Sequence, residues 1–98
     1  MSSPAYWVAH VTVTDPEGYA AYRAAAAGPI ADGGGALLTV GGAQETVAGA
    51  MRPHTVIVAF PSLEAARACY FGAGYQATLA ARDASAEVDL AIVAGTGA

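Results

Sequence analysis

A histidine and an aspartate could together carry out acid–base chemistry in this chain. His10 lies in an apolar segment, residues 5–14, and Asp89 lies in another, residues 87–94. Both segments are rich in β-branched residues, which predicts strands. If the strands are neighbours, Asp89 could fix the tautomer of His10 and make it a general base. The alternative is that His10 is a hydrogen-bonded cavity residue and Asp89 a solvated charge.

Alternation along the first strand indicates where His10 points. Trp7, Ala9 and Val11 form a uniformly apolar set that should pack under helices. His10 then points to the opposite, open face of the sheet, and the same argument places Asp89 there. We therefore expect the open face to carry both the catalytic pair and the cavity around it.

Four further side chains could contact a small ligand, namely Tyr6, Tyr22, Arg52 and His54. The tyrosine hydroxyls could orient a phenol or a carbonyl, although core tyrosines with satisfied hydroxyls are the alternative. Arg52 and His54 precede the third predicted strand and could bind a carboxylate at a cavity mouth. Arg52 could instead anchor its loop or pair across a dimer.

No metal or cofactor site emerges from the sequence. His10, His54 and Cys69 lie on separate predicted elements without the spacing of metal ligands, and no haem ligand stands out. The doubled glycines lack the strand-GxGxxG-helix context of a dinucleotide site. We therefore expect any reaction to proceed without a cofactor.

Six elements must position these residues, in the order strand, helix, strand, strand, helix, strand. The strands are predicted at residues 5–14, 36–40, 55–60 and 87–94, with a possible continuation of the second at 44–47. The first helix is predicted at residues 16–31, with Thr14 or Asp15 as N-cap and a kink or early end at Gly28-Pro29. The second begins after Ser62, breaks near Phe71 and resumes over residues 75–83.

This order predicts an α+β fold of ferredoxin-like βαββαβ type, a four-stranded antiparallel sheet with strand order 4-1-3-2 and both helices on one face. The 98 residues are expected to form one domain, residues 1–98. The strand at residues 55–60 is apolar at nearly every position, so its side chains are apolar on the open face as well as under the helices. An exposed apolar face of this kind is expected to be buried against another surface. A second copy is the expected cover, which predicts a homodimer in the form of a dimeric α/β barrel.

The composition of the chain limits the classes of partner that the protein could bind and indicates its cellular location. The chain is 55% hydrophobic and 12% charged, with a formal charge of −4. Its four arginines are scattered, so we expect no nucleic acid partner, and its acidity argues against anionic membranes. No apolar run reaches membrane-spanning length, a basic signal region is missing from the first residues, and one cysteine allows no internal disulfide. These features predict a cytoplasmic protein.

Motifs along nearly the whole chain resemble the domain of unknown function 1330 family, within the dimeric α/β barrel superfamily. They comprise residues 5–13 with Asp15-Pro16, Tyr19, Tyr22, Gly34-Gly35, Gly41-Gly42, Arg52-Pro53, residues 60–67, Tyr70, Tyr75-Gln76 and Arg82. The resemblance implies a dimer whose sheets face each other around a cavity. The superfamily includes cofactor-free monooxygenases, polyketide cyclases, dehydratases and haem-degrading enzymes.

We therefore expect a homodimer that binds an aromatic or polyketide-like small molecule. Cofactor-independent acid–base catalysis, of cyclase, isomerase or monooxygenase type, is the expected activity. The alternative is a non-catalytic binding or accessory protein.

Overall fold

The computed structural model describes residues 3–96 and confirms the α+β ferredoxin-like fold. The strands are β1 (Ala5–Val13), β2 (Ala36–Val40), β3 (His54–Phe60) and β4 (Ala86–Ala94), and the helices are α1 (Pro16–Asp32), α2 (Leu63–Phe71), α3 (Ala73–Gln76) and α4 (Leu79–Ser85). Within these residues, none of the helices combines the length and apolar character needed to cross a membrane.

The four strands form one antiparallel sheet in the predicted order, β2-β3-β1-β4. Val8 lies at its centre, opposite Ile57 of β3 and Ala91 of β4. Residues alternate between the two faces of each strand, and Trp7 and Val58 are buried on the helix-covered face. The register therefore gives the sheet one covered face and one open face.

Trp7 is the centre of the core on the covered face. Its Nε1 donates a hydrogen bond of 2.9 Å to the backbone oxygen of Ala66 in α2. Its ring centroid lies 5.0 Å from that of Phe60 and 4.8 Å from that of Tyr75. Burial of so large a ring with its one polar atom satisfied stabilises the attachment of α2 to the sheet.

Helix α1 does not show the expected early end at Gly28-Pro29 but continues to Asp32. Gly28 has no Cβ to collide with the proline ring, which removes part of the usual penalty for helical geometry before proline. The Pro29 carbonyl accepts a hydrogen bond of 3.0 Å from the Gly33 N–H. Pro29 also lies against Gly74 of α3, so tertiary packing supports the last turn.

Two other segments differ from the sequence-based prediction. Residues 44–47 form no strand, because Gln44 bonds through its side chain to the Arg52 carbonyl (2.9 Å) and the Thr55 hydroxyl (2.6 Å). The predicted helical piece at residues 75–83 is two short helices, α3 and α4. The Thr78 hydroxyl between them donates to the Tyr75 carbonyl at 2.6 Å.

Gly35 provides a test of the packing where α1 meets the sheet. A Cβ at this position would lie 2.7 Å from Ile30 Cγ2 and 2.9 Å from Val58 Cγ1. Gly35→Ala should therefore lower the free energy of unfolding by about 1–3 kcal/mol, measured by urea denaturation. The control is Gly74→Ala, where the nearest atoms of Pro29 would be 3.4 Å away. Equal stability of the two variants would contradict this packing.

Candidate functional site

A cavity of about 390 Å³ lies between α1 and the covered face of the sheet. Its helix wall includes Ala20, Ala26 and Ala27, and its sheet wall includes Ala9 and Val56. Small side chains on both walls cannot fill the space between helix and sheet, and α1 is held instead by its packing against α3 and α4. The volume and the apolar walls are those of a small-molecule site.

A polar cluster lines one part of this cavity. The hydroxyl oxygens of Tyr22 and Tyr75 are 2.6 Å apart, which is a strong hydrogen bond. Arg82, itself 8% exposed, donates from Nη1 to the Tyr75 hydroxyl at 3.5 Å and to the Tyr70 hydroxyl at 3.3 Å. Its Nε donates to Asp83 at 2.9 Å. A buried guanidinium thus supports hydroxyl groups inside an apolar cavity.

Burial keeps the Tyr22 phenol protonated even at alkaline pH. Desolvation raises the pKa of Tyr22 well above its ordinary value of 10.0, and the neighbouring Tyr75 raises it further. Burial also raises the pKa of Tyr19, with the Arg23 guanidinium acting in the opposite direction. Tyr22 is therefore neutral at physiological pH, with a hydroxyl that can donate or accept a hydrogen bond but does not act as a phenolate base.

A smaller cavity of about 250 Å³ adjoins the first, and Tyr19, Arg23 and Val56 line both. His54 lies in its wall, next to Gly41. Gly41 has a φ of 65°, and a Cβ there would lie 2.8 Å from His54 Nδ1. The glycine thus allows the backbone to approach the imidazole closely.

His10 and Asp89 lie opposite each other on the open face, where the sequence placed them. Among residues 3–96, however, no hydrogen bond joins these two side chains. Asp89 accepts a hydrogen bond of 2.9 Å from Arg52 Nε, and His10 Nδ1 lies 3.4 Å from the Thr55 hydroxyl. The structure therefore pairs Asp89 with an arginine and leaves His10 without the carboxylate that a fixed tautomer would need.

Arg52 anchors its own loop, which was the alternative to binding a ligand carboxylate. Besides Asp89, its guanidinium donates to Glu87 at 3.1 Å and to the Thr12 hydroxyl at 3.0 Å. These bonds join the segment before β3 to β1 and β4 across the open face. Its charge is thus already matched by carboxylates of the same chain.

The predicted site residues therefore divide between the two faces of the sheet. Tyr22 and His54 line the cavities on the covered face. The others lie on the open face, namely Tyr6, His10, Asp89 and Arg52. Both of these cavities lie on the covered face of the single chain, whereas the predicted cavity, enclosed between the open faces of two copies, stays a prediction.

Sequence reasoning did not identify Tyr75, Arg82 or Arg23 as site residues. One signal for the first two was available. Tyr75 and Arg82 are seven residues apart in a segment predicted to be helical, a spacing that puts two side chains on one face. No pattern in the sequence indicated that α1 would stand away from the sheet.

Because the pKa of Tyr22 is raised in the folded protein, the free energy of unfolding should fall at alkaline pH. Above its ordinary pKa of 10.0, Tyr22 ionises more readily in the unfolded chain, so stability is present below that value and is lost as pH rises above it. At pH 11 the loss from this residue should be about 1.4 kcal/mol. Urea unfolding at about pH 8 and pH 11 should show a smaller loss in Tyr22→Phe. An equal loss in both proteins would contradict the buried, neutral phenol.

Solved structures share this fold. A protein of unknown function from Rhodopseudomonas palustris matches with a TM-score of 0.78 and 18% identity, over 100% of this chain and 86% of its own. SnoaB, a cofactor-independent oxygenase from Streptomyces nogalater, matches with a TM-score of 0.67 and 14% identity, over 99% and 97% of the two chains. A proposed antibiotic biosynthesis monooxygenase from Caulobacter crescentus has a TM-score of 0.63 and 13% identity, over 98% and 92%.

At these identities the structural likeness establishes the fold. No curated protein matches the chain in sequence. One family model covers residues 4–96. The chain therefore belongs to the domain of unknown function 1330 family.

Proposed function

We propose that the cavity under α1 binds a small aromatic or polyketide-like molecule and promotes cofactor-independent acid–base chemistry on it. The observation that carries the proposal is the Tyr22–Tyr75 hydroxyl pair beside the buried Arg82. Apolar walls suit the rings of such a ligand, and the hydroxyls suit one of its oxygens. The shared fold with a cofactor-independent oxygenase supports the reaction class by analogy.

The cluster would act by stabilising negative charge on the ligand. When an enolisable ketone or a phenol loses a proton, charge develops on its oxygen, and donors already in place lower the energy of that state. Tyr22 provides a neutral hydroxyl, and Arg82, although paired with Asp83, polarises the Tyr75 hydroxyl by donating a hydrogen bond to it. The proton passes to water, and the resulting enolate can react with O₂, rearrange or cyclise.

Binding without a reaction is the second candidate. Among the described residues, the wall of the larger cavity includes no carboxylate and no imidazole, so it provides no general base. A ligand that keeps its proton would simply be held by the tyrosines. Measurements of binding and turnover on one compound separate the two functions.

Anthrone, an enolisable aromatic ketone, is a suitable probe. Its oxygenation consumes one O₂ and yields anthraquinone and one water. We expect the protein to accelerate O₂ consumption and Tyr22→Phe to slow it about 100-fold, since one donor to the oxyanion is lost. Tyr70→Phe, which removes a hydroxyl that contacts Arg82 but does not line the cavity, should have a smaller effect.

Three outcomes of this assay decide between the candidates. Binding of anthrone without turnover would favour the non-catalytic function. Unchanged turnover in Tyr22→Phe would contradict the proposed role of the tyrosine pair. Loss of turnover in His10→Gln alone would assign the reaction to the open face and to the His10 and Asp89 pair.

We also propose that the open face is covered by a second copy of the chain. Tyr6, Val8, Ile57 and Val93 make one part of this face apolar, and helices cover the other face. Val93 is 45% exposed in the single chain. Such a face on a small domain is favourably buried against its own copy about a two-fold axis.

Val8, at the centre of this face, tests the dimer. Light scattering should give the wild type twice the chain mass of 9.7 kDa. Val8→Glu should weaken the dimer at least about 100-fold, because two carboxylates would be buried unpaired. Leu63→Glu adds the same charge at an exposed apolar residue of α2 and should leave the dimer intact. A wild-type monomer would contradict the proposal.

A further inference from the structure

Arg23 differs from the other three arginines in its contacts. Arg52 pairs with Glu87 and Asp89, and Arg82 pairs with Asp83. Arg67 is placed over the ring of Phe71, with 5.4 Å between its Cζ and the ring centroid. Among residues 3–96, Arg23 forms no ion pair. Arg23 and Arg67 thus carry charges that no carboxylate of these residues matches, and of the two it is Arg23 that lines the cavities.

Arg23 lies where the two cavities meet. It lines both, together with Tyr19, which precedes it by one helical turn on α1. His54 approaches the smaller cavity from β3, on the other side. A guanidinium and an imidazole therefore reach the same small space from two different elements.

The ionisable side chains that line the two cavities include no acid, whereas the protein as a whole is acidic. The chain has eight acidic and four basic residues. The walls of the two cavities nevertheless include Arg23, Arg82 and His54, and no carboxylate among the described residues. A cavity lined by one sign of charge with apolar walls concentrates ligands of the opposite sign.

The two arginines of the cavity walls are not equivalent. Arg82 is buried and already bonded to Asp83, Tyr70 and Tyr75. Arg23 is exposed at the surface end of the cavities, where it can exchange water for a ligand. Of these two arginines, Arg23 is therefore the one that an anion can reach from the surface.

We propose that the natural ligand is an anion, most simply an aromatic or polyketide-like carboxylic acid. Its apolar body occupies the larger cavity, and its anionic group lies in the smaller one, bound by Arg23 and His54. Guanidinium groups bind carboxylates through two parallel hydrogen bonds, which would also fix the orientation of the ligand. This inference rests on the proposed function and specifies the ligand class of the same site.

Two fluorescent probes that share a ring system test the inference. Anilinonaphthalene sulfonate carries an anionic group, and N-phenylnaphthylamine is the same compound without it. Fluorescence titration should show both binding to the wild type. Arg23→Gln should weaken binding of the sulfonate about tenfold and leave the neutral probe unchanged, because one charge-assisted contact is lost. His54→Gln should act in the same direction.

Two control variants locate the effect. Arg67→Gln makes the same substitution on α2, outside both cavities, and should change the affinity of neither probe. Ala20→Phe fills the junction of the cavities and should weaken both probes.

The outcomes separate this inference from the function on which it rests. If Arg23→Gln leaves the affinity for the sulfonate unchanged, or lowers the affinity for both probes equally, the proposal that the ligand is an anion is contradicted. The cavity then still stands as a binding site, provided that Ala20→Phe weakens the neutral probe. If neither probe binds the wild type, or if Ala20→Phe changes the affinity for neither probe, the proposal that the cavity binds ligands is contradicted.

Discussion

The small side chains of α1 are the constraint on which the site depends. A helix that faced the sheet with leucines would fill the layer between them, whereas Ala20, Ala26 and Ala27 leave it open. The helix nevertheless stays in place, because α3 and α4 pack against it. The buried cluster around Trp7 borders this space, and Trp7, Val58 and Tyr75 belong to both. The same covered face thus provides both the buried core and one wall of the cavity.

The alternation of residues along β1 gives the two faces of the sheet different surroundings and, in our proposal, different functions. Odd-numbered residues, such as Trp7 and Val11, form the core and the cavity floor. Even-numbered residues form an open face, apolar around Val8 and polar around Arg52. In our account the first face carries the ligand and the second carries the partner. A substitution that disrupts assembly should therefore leave the polar cluster of the cavity unaltered.

Most of the fold could be predicted from local sequence signals. Asp15-Pro16 marks the start of α1, and Ser62 caps α2 by accepting a hydrogen bond of 3.0 Å from the Ala65 N–H. Strand parity correctly assigned His10 and Asp89 to one face. The predicted span of the first helix, residues 16–31, nearly matches α1, but local signals also predicted a kink or an early end at Gly28-Pro29, and the packing of Pro29 against Gly74 of α3, which supports the last turn, could not be foreseen from them.

The site was harder to predict than the fold. Tyr22 was identified as a candidate ligand contact because of its hydroxyl, but its partner Tyr75 is 53 residues away in the chain. The pairing of Asp89 with Arg52 depends on the path of a loop without regular structure. The alternation of residues in the sequence predicts which face of the sheet a residue lies on. It does not predict the distance between a helix and the sheet, which determines whether a cavity forms between them.

The location of the binding site is the central claim, and an NMR titration tests it most directly. Amide shifts of the ¹⁵N-labelled protein would be followed as N-phenylnaphthylamine is added. We predict that the largest shifts fall on residues around the cavity, Tyr22, Ala26 and Val58 among them. Shifts confined to the open face, around Val8 and His10, would contradict the account.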